Sequence, residues 1–228
     1  VIVIRPGTDP AFALGIAQHI MAKGLYDKDF VENKTDFPFL VRLDNLQPLR
    51  PEEVIADYKR PELTSITFMK PGEKPPAGKE QKDQFSPESM RADFKPYVVF
   101  DRTSKKYVPV TRDNYGDNAK ALNISPDLEY KGMVKLLDGK SVKVRTVYHL
   151  TREYLNENMT PKQVSRITGC PEKAIIGLAE EIAANKEKTL FVCGMGPNQF
   201  FNADLKDRAI FMVAALTRNI GFPGGNVG

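Results

Sequence analysis

The sequence predicts an α/β chain built on a mainly parallel sheet, and three observations predict it. Two short apolar runs, Val1–Ile4 and Thr189–Cys193, each pass through a glycine turn into a helical pattern. The helical stretches carry apolar residues at 3.6-residue spacing, with polar residues between them. The 228 residues, 41% hydrophobic and 27% charged, are enough to bury a sizeable core and are ordinary for globular protein. The expected arrangement is a Rossmann-like three-layer domain over residues 1–228. A proline-rich surface insertion over residues 43–147 would carry β-hairpins.

The elements follow in order. After Val1–Ile4, the turn Arg5-Pro6-Gly7-Thr8-Asp9-Pro10 opens a helix of roughly fifteen residues. Thr8 or Asp9 is the expected cap, with Pro10 in the first turn, where its missing N–H costs nothing. Leu14, Ile16, Ala17, Ile20 and Met21 form its apolar stripe. A short helix and a short strand follow, up to about Arg42. Ten of the seventeen prolines then fall between Pro38 and Pro109, which forbids long helices and removes ladder donors. Two hairpins stand out there. Tyr97–Phe100 pairs with Tyr107–Val110, and Met133–Leu137 pairs with Ser141–Val147 around Asp138-Gly139. From about Leu150 onward the pattern reads helix, helix, strand, helix. Thr160, Pro161 and Gln163 form a capping box. Ala174, Ile175, Leu178, Ala179 and Ile182 line the next helix, and the last runs from about Ala203 to Asn219.

Function is concentrated in the two glycine turns. Glycine lets backbone approach a ligand closely, and a helix N-terminus favours phosphate. Gly194-Met195-Gly196 lacks the third glycine of a dinucleotide fingerprint, which argues against a nicotinamide site. Behind it Asn198, Gln199 and Asn202 offer donors and acceptors suited to a flat heterocycle with amide and amine edges. In the first turn Asp9 can grip guanine and Arg5 a phosphate. Other chemistries find little support. The net charge of +4 is modest, and Lys70, Lys74, Lys79 and Lys82 alternate with Glu73, Glu80 and Asp83, so no nucleic-acid partner is expected. No run of about eighteen apolar residues is present. Cys170 and Cys193 lack metal or redox spacing, and Cys193 reads as a small hydrophobe ending a buried strand. His19 falls on the first helix and His149 near a strand end, which does not suggest zinc.

Ile4 to Gly15, with the pattern Ile-Arg-Pro-Gly-Thr-Asp-Pro-Ala-x-Ala-Leu-Gly, resembles the pterin-guanine loop of the dimethyl sulfoxide reductase family of molybdopterin oxidoreductases. Gly24–Val31, the Thr160-Pro161 to Ile167-Thr168-Gly169 helix, Cys193–Asn202 and Thr217–Gly228 extend the resemblance in order and spacing. Residues from about Asn45 to Lys131 carry little of it. Thr35–Arg42 and Gly196 to Leu205 look most like the nitrate reductase branch, which includes nitrite oxidoreductases and perchlorate, selenate and ethylbenzene enzymes. The resemblance implies bis-molybdopterin guanine dinucleotide with molybdenum as cofactor. It assigns Arg5, Gly7, Thr8 and Asp9 to the guanosine end of one dinucleotide. It assigns Gly194, Gly196, Asn198, Gln199 and Asn202 to the same dinucleotide or its pyranopterin. It implies interconversion of nitrite and nitrate, with perchlorate, selenate or hydrocarbon chemistry as the near alternative. A non-catalytic nucleotide-binding or assembly module is the alternative of another class.

The resemblance also sets expectations for the whole. The catalytic subunits of the family are several times longer, so the chain is expected to be an internal piece of one. The iron–sulfur cluster and the metal-ligating residue would lie elsewhere in that subunit, and no catalytic or metal-binding residue is expected in this chain. The implied partners are the remainder of the catalytic subunit, an iron–sulfur electron-transfer subunit, a haem or membrane-anchor subunit and a small oxyanion. By resemblance the setting is a membrane-associated or periplasmic-type bacterial complex. Gly221-Phe222-Pro223-Gly224-Gly225-Asn226 reads as a flexible exit from the domain.

Overall fold

A computed structural model of the chain describes residues 1–59, 96–110, 122–201 and 203–226. The architecture is mixed α/β, and the described residues group into two compact units. One unit comprises Val1–Val31 and Tyr148–Gly228, and the other comprises Glu32–Val147.

The first unit is helical. Its hub is α1, Asp9–Lys23, which buries Ala13, Ile16, Ala17, Ile20 and Met21. Gly24 ends the helix in the left-handed region at φ 65°, donating its N–H to the carbonyls of Ile20 and Met21. Helix α2, Lys28–Lys34, leads out of this unit. In the second unit β1, Leu40–Arg42, is followed by the short α3, Pro51–Val54. The expected hairpins follow as β2, Tyr97–Asp101, with β3, Lys106–Val110, and β4, Lys131–Lys135, with β5, Ser141–Thr146. Four helical elements complete the first unit. They are α4, Val147–Asn158; α5, Pro161–Thr168; α6, Glu172–Ala184; and α7, Ala203–Leu216. A 3-10 turn, Gly196–Gln199, precedes α7.

Helix α1 packs against α5, α6 and α7. Gly15 makes the α5 contact close, since a Cβ there would lie 2.8 Å from a methyl of Val164. The polar residues on the buried side of α1 have partners. Gln18 donates to Asn156 Oδ1 at 2.8 Å, and His19 meets Glu180 at 3.4 Å. The capping box at α5 forms as read. The Thr160 backbone N–H donates to Gln163 Oε1 at 2.9 Å, and the Gln163 N–H donates back to the Thr160 hydroxyl.

The second unit holds a three-stranded antiparallel sheet in the order β1-β5-β4 and the separate β2–β3 ribbon. Alternation puts Leu40, Val134, Val142 and Val144 on a core face with Leu49, Val98 and Leu136. The β4–β5 loop is one residue longer than a two-residue turn. Gly139 donates its N–H to Leu136 O at 3.0 Å and sits at φ 89°, so the Asp138-Gly139 signal closes a three-residue loop.

The α/β class is as read, and three other readings are corrected. The described ladders are all antiparallel, and neither Val1–Ile4 nor Thr189–Cys193 is paired in a sheet among the described residues. The reason at the second segment is local. The Phe191 N–H donates to Asn226 Oδ1 at 2.9 Å, the Asn226 amide donates to Phe191 O at 2.8 Å, and Thr189 N–H donates to Asn219 Oδ1 at 3.0 Å. Side-chain amides therefore stand where a neighbouring strand would. The same bonds fold Gly221–Asn226 back on the unit, with Gly221 N–H on Asn226 O at 2.8 Å, so this stretch is a hydrogen-bonded turn and not a flexible one. Cys193 is exposed, because its extended segment is uncovered, and does not pack as a small hydrophobe. His149 lies in α4, a helix the reading left out because β5 runs into it without a glycine or proline.

Candidate functional site

The first glycine turn is anchored by its backbone. Arg5 donates its N–H to Thr168 O at 2.8 Å, and Thr8 donates its N–H to Arg5 O at 3.2 Å. Gly7 sits at φ 77°, in the left-handed region, which is why glycine stands there. The Thr8 hydroxyl donates to Arg5 O at 2.6 Å and so closes the turn. Thr8 occupies the N-cap of α1 but makes no side-chain cap bond, which corrects the expected cap.

Arg5 has a structural duty that the sequence did not reveal. Its Nη1 donates to the carbonyls of Arg166 at 2.9 Å and Ile167 at 3.2 Å, the last turn of α5. A guanidinium is well suited to the negative end of a helix dipole. It still carries further N–H donors. Asp9 stands in the first turn of α1, and no hydrogen bond engages its carboxylate among the described residues.

The second turn lies against the first. An ideal Cβ on Gly7 would fall 3.1 Å from the Phe200 ring, so the two glycine loops are brought together within the first unit. The 3-10 turn is held by Asn198 N–H on Met195 O at 3.0 Å and Ala203 N–H on Phe200 O at 3.2 Å. A Cβ on Gly194 or Gly196 would meet nothing within 4 Å, so the backbone here is open to an incoming group. Asn198 and Gln199 are exposed, and no hydrogen bond engages their amides among the described residues. Asn202 lies outside the described residues.

Two features were missed in the sequence. Lys206 at the start of α7 is 2% exposed, and its Nζ meets Asp207 Oδ1 at 2.7 Å. That ammonium holds the Asp207 carboxyl below its ordinary range. A buried cation one turn after the glycine loop gives no periodicity signal. The second feature is an apolar cavity of about 310 Å³ lined by Ile4, Phe12, Ile16, Leu190, Val192 and Ile210 among others, with Asp9 on its wall. Among the described residues no group of three His, Cys, Asp or Glu side chains could hold a metal ion. No helix among them is long and apolar enough to cross a membrane.

The first unit thus supplies backbone N–H groups at two glycine turns, which approach each other at Gly7 and Phe200, together with one unengaged carboxylate and two unengaged amides. Such a set fits a heterocycle with amide edges carrying a diphosphate.

Comparison with known proteins adds sequence evidence. No protein-family model matches the chain. It is 32% identical over 225 residues to the alpha subunit of perchlorate reductase from Dechloromonas aromatica, covering 98% of this chain and 22% of that protein. It is 30% identical over 223 residues to the alpha subunit of respiratory nitrate reductase from Haloferax mediterranei, covering 96% and 20%. Over 69 residues, 30% of this chain, it is 45% identical to the dimethyl sulfoxide reductase DmsA of Escherichia coli. The chain thus spans only 20–22% of the length of the two relatives it matches throughout.

Proposed function

From its homology, over nearly its whole length, to alpha subunits of the dimethyl sulfoxide reductase family of molybdopterin oxidoreductases, we propose that this chain forms part of such a catalytic subunit and binds one molybdopterin guanine dinucleotide at its paired glycine turns. The observation that carries the reading is the approach of Gly7 to Phe200, which joins the two turns with Asp9, Asn198 and Gln199 unengaged. Asp9 would accept from guanine N–H groups. Gly7, Gly194 and Gly196 would admit the diphosphate, and Thr8 would hold the first turn in shape. Asn198, Gln199 and Asn202 would read ring edges. Arg5 would offer a phosphate the donors it does not spend on α5.

When bound, the molybdenum cofactor would supply two-electron oxygen-atom transfer, here between nitrite and nitrate, with electrons passing to iron–sulfur clusters outside this chain. The protein's part is to hold, orient and shield. Reduction of a different oxyanion is the second reading, favoured by the 32% identity to a perchlorate reductase subunit. In this proposal Val1–Ile4 and Thr189–Cys193 become parallel strands once the rest of the subunit supplies neighbours. The exposure of Val3 (78%), Leu190 (61%) and Val192 (84%) supports that.

The test is Asp9→Ala in the full-length natural polypeptide. Guanine nucleotide released on denaturation and molybdenum by mass spectrometry should both fall several-fold. Unchanged contents would sink the guanine assignment. Assays with nitrite, nitrate, perchlorate and selenate then select the substrate.

A further inference from the structure

Two tyrosines from separate segments of the second unit meet at their hydroxyls. Tyr107 lies on β3, and Tyr130 immediately precedes β4. Their Oη atoms stand 2.7 Å apart, and either can donate. The ring centres are 6.0 Å apart, with the planes at 82°. Phenols meeting end-on would hold their ring centres farther apart, so these rings lean towards each other beside the hydroxyl contact. Phe100, opposite Tyr107 in the β2–β3 register, stacks on Tyr130 with centres 3.9 Å apart and planes at 18°. The Tyr130 carbonyl accepts from the Thr146 N–H at 3.2 Å, which fixes its backbone. Gly132 makes room for the side chain, since an added Cβ there would fall 2.6 Å from the Tyr130 hydroxyl.

Among the described residues, each hydroxyl has the other as its hydrogen-bond partner, and no carboxylate or cation engages either. Burial, and then the Tyr130 hydroxyl, push the Tyr107 phenol well above its ordinary range. Tyr107 is therefore a neutral phenol, which gives up an electron together with its proton. We propose that Tyr107 and Tyr130 are a modification site, coupling to an intramolecular dityrosine under one-electron oxidation by a peroxide. Each phenol loses one electron and its hydroxyl proton and becomes a phenoxyl radical. The radicals join through the ring carbons beside their oxygens. The hydrogen on each joined carbon then moves, as a proton, to the oxygen and restores the phenol. Two electrons and two protons leave in all, and they reduce the peroxide as its O–O bond breaks. In the product the two hydroxyls are adjacent, as they already are here. The new bond ties the β2–β3 ribbon to the start of β4. Tyr26 and Tyr148 have closer ring centres, at 5.5 Å, but Tyr148 is 1% exposed and Tyr107 and Tyr130 are each only partly buried.

The experiment uses the full-length natural polypeptide, photo-oxidised with tris(bipyridine)ruthenium and persulfate at low protein concentration. The expected product is a single chain with dityrosine fluorescence. Its proteolytic digest should contain the Tyr107 and Tyr130 peptides joined and lighter by two hydrogens. Tyr107→Phe and Tyr130→Phe each keep the ring and remove the hydroxyl, and each should abolish that species. Tyr154→Phe, at a 55% exposed position, should leave its yield unchanged. Gly132→Ala displaces the Tyr130 hydroxyl and should lower the yield several-fold. The linked wild type should melt at a higher temperature than the untreated chain, and treated Tyr107→Phe should show no such gain. The proposal is overturned if the linked peptides run through Tyr154, or join Tyr26 to Tyr148, while the Tyr107–Tyr130 link is absent. Equal yield of that link from the urea-denatured chain would overturn it as well, since the fold would then contribute nothing.

Discussion

Gly15 shows how one missing methyl can decide a helix contact. Glycine inside a helix costs about 1 kcal/mol relative to alanine, so Gly→Ala in α1 should stabilise the helix by itself. Here the added Cβ would lie 2.8–3.0 Å from all three Cβ-branch carbons of Val164. Overpacking of this kind costs about 1–3 kcal/mol. Gly15→Ala is therefore expected to lower the melting temperature, and Val164→Ala in the same chain should restore part of the loss. A stabilising single mutant would refute the contact. The same scale limits what sequence can say about the site. Residue types and spacing marked Gly7, Asp9, Gly194, Gly196, Asn198 and Gln199, because glycine turns and unengaged amides are local features. The partner of Arg5 was illegible, since the carbonyls it caps lie 161 and 162 residues away. Lys206 was illegible for a related reason: the composition of α7 gives no hint that a lysine is buried there.

Among the elements, capping and hairpin chemistry were readable, and ladders between distant segments were not. Thr160 with Gln163 specifies the start of α5 within four residues, and Thr160→Ala should cost about 1 kcal/mol in chemical denaturation. The β2–β3 hairpin was legible from alternation, but its lock was not. Asp101 is buried, which raises its pKa. Hydrogen bonds from Ser104, Ser125 and Thr103 outweigh that and bring it down to about 2. The Ser125 N–H comes from outside the hairpin, at 2.7 Å. A folded pKa below the unfolded value of about 3.9 gives stability that is present above pH 4. That stability is lost as pH falls from about 4 through about 2, and it amounts to roughly 2 kcal/mol. Asp101→Asn should flatten the acid limb of a stability-versus-pH curve in that window. An unchanged limb would show that another carboxylate carries it. The apolar runs Val1–Ile4 and Thr189–Cys193 specify extended segments, but a strand also needs a neighbour, and none pairs with them among the described residues. At Phe191 the side chain of Asn226 fills that place.

At the scale of the molecule, the first unit carries both glycine turns and an unfinished apolar surface together. Val3, Leu190 and Val192 are exposed beside the turns they lead into, and Leu190 and Val192 line the 310 Å³ cavity with Ile4 and Phe12. Apolar groups gathered in this way signal a covering surface in the working protein. The relatives that match throughout are about five times longer, so they have chain enough to supply one. A dinucleotide held only at two turns would lie on an open wall, where water competes for every hydrogen bond. Two outcomes follow for the 228 residues expressed alone. They should retain no stoichiometric molybdenum or guanine nucleotide and show no oxyanion turnover, and they should bind a hydrophobic dye. Leu190→Asp separates the causes. In the isolated chain the side chain is already 61% exposed, and the substitution should cost little. In the full-length polypeptide it would bury a charge against the covering segment, and both folding yield and cofactor content should fall several-fold. Stoichiometric metal in the isolated chain would show that these turns suffice without a covering wall. Equal tolerance of Leu190→Asp in both settings would show that nothing covers this surface.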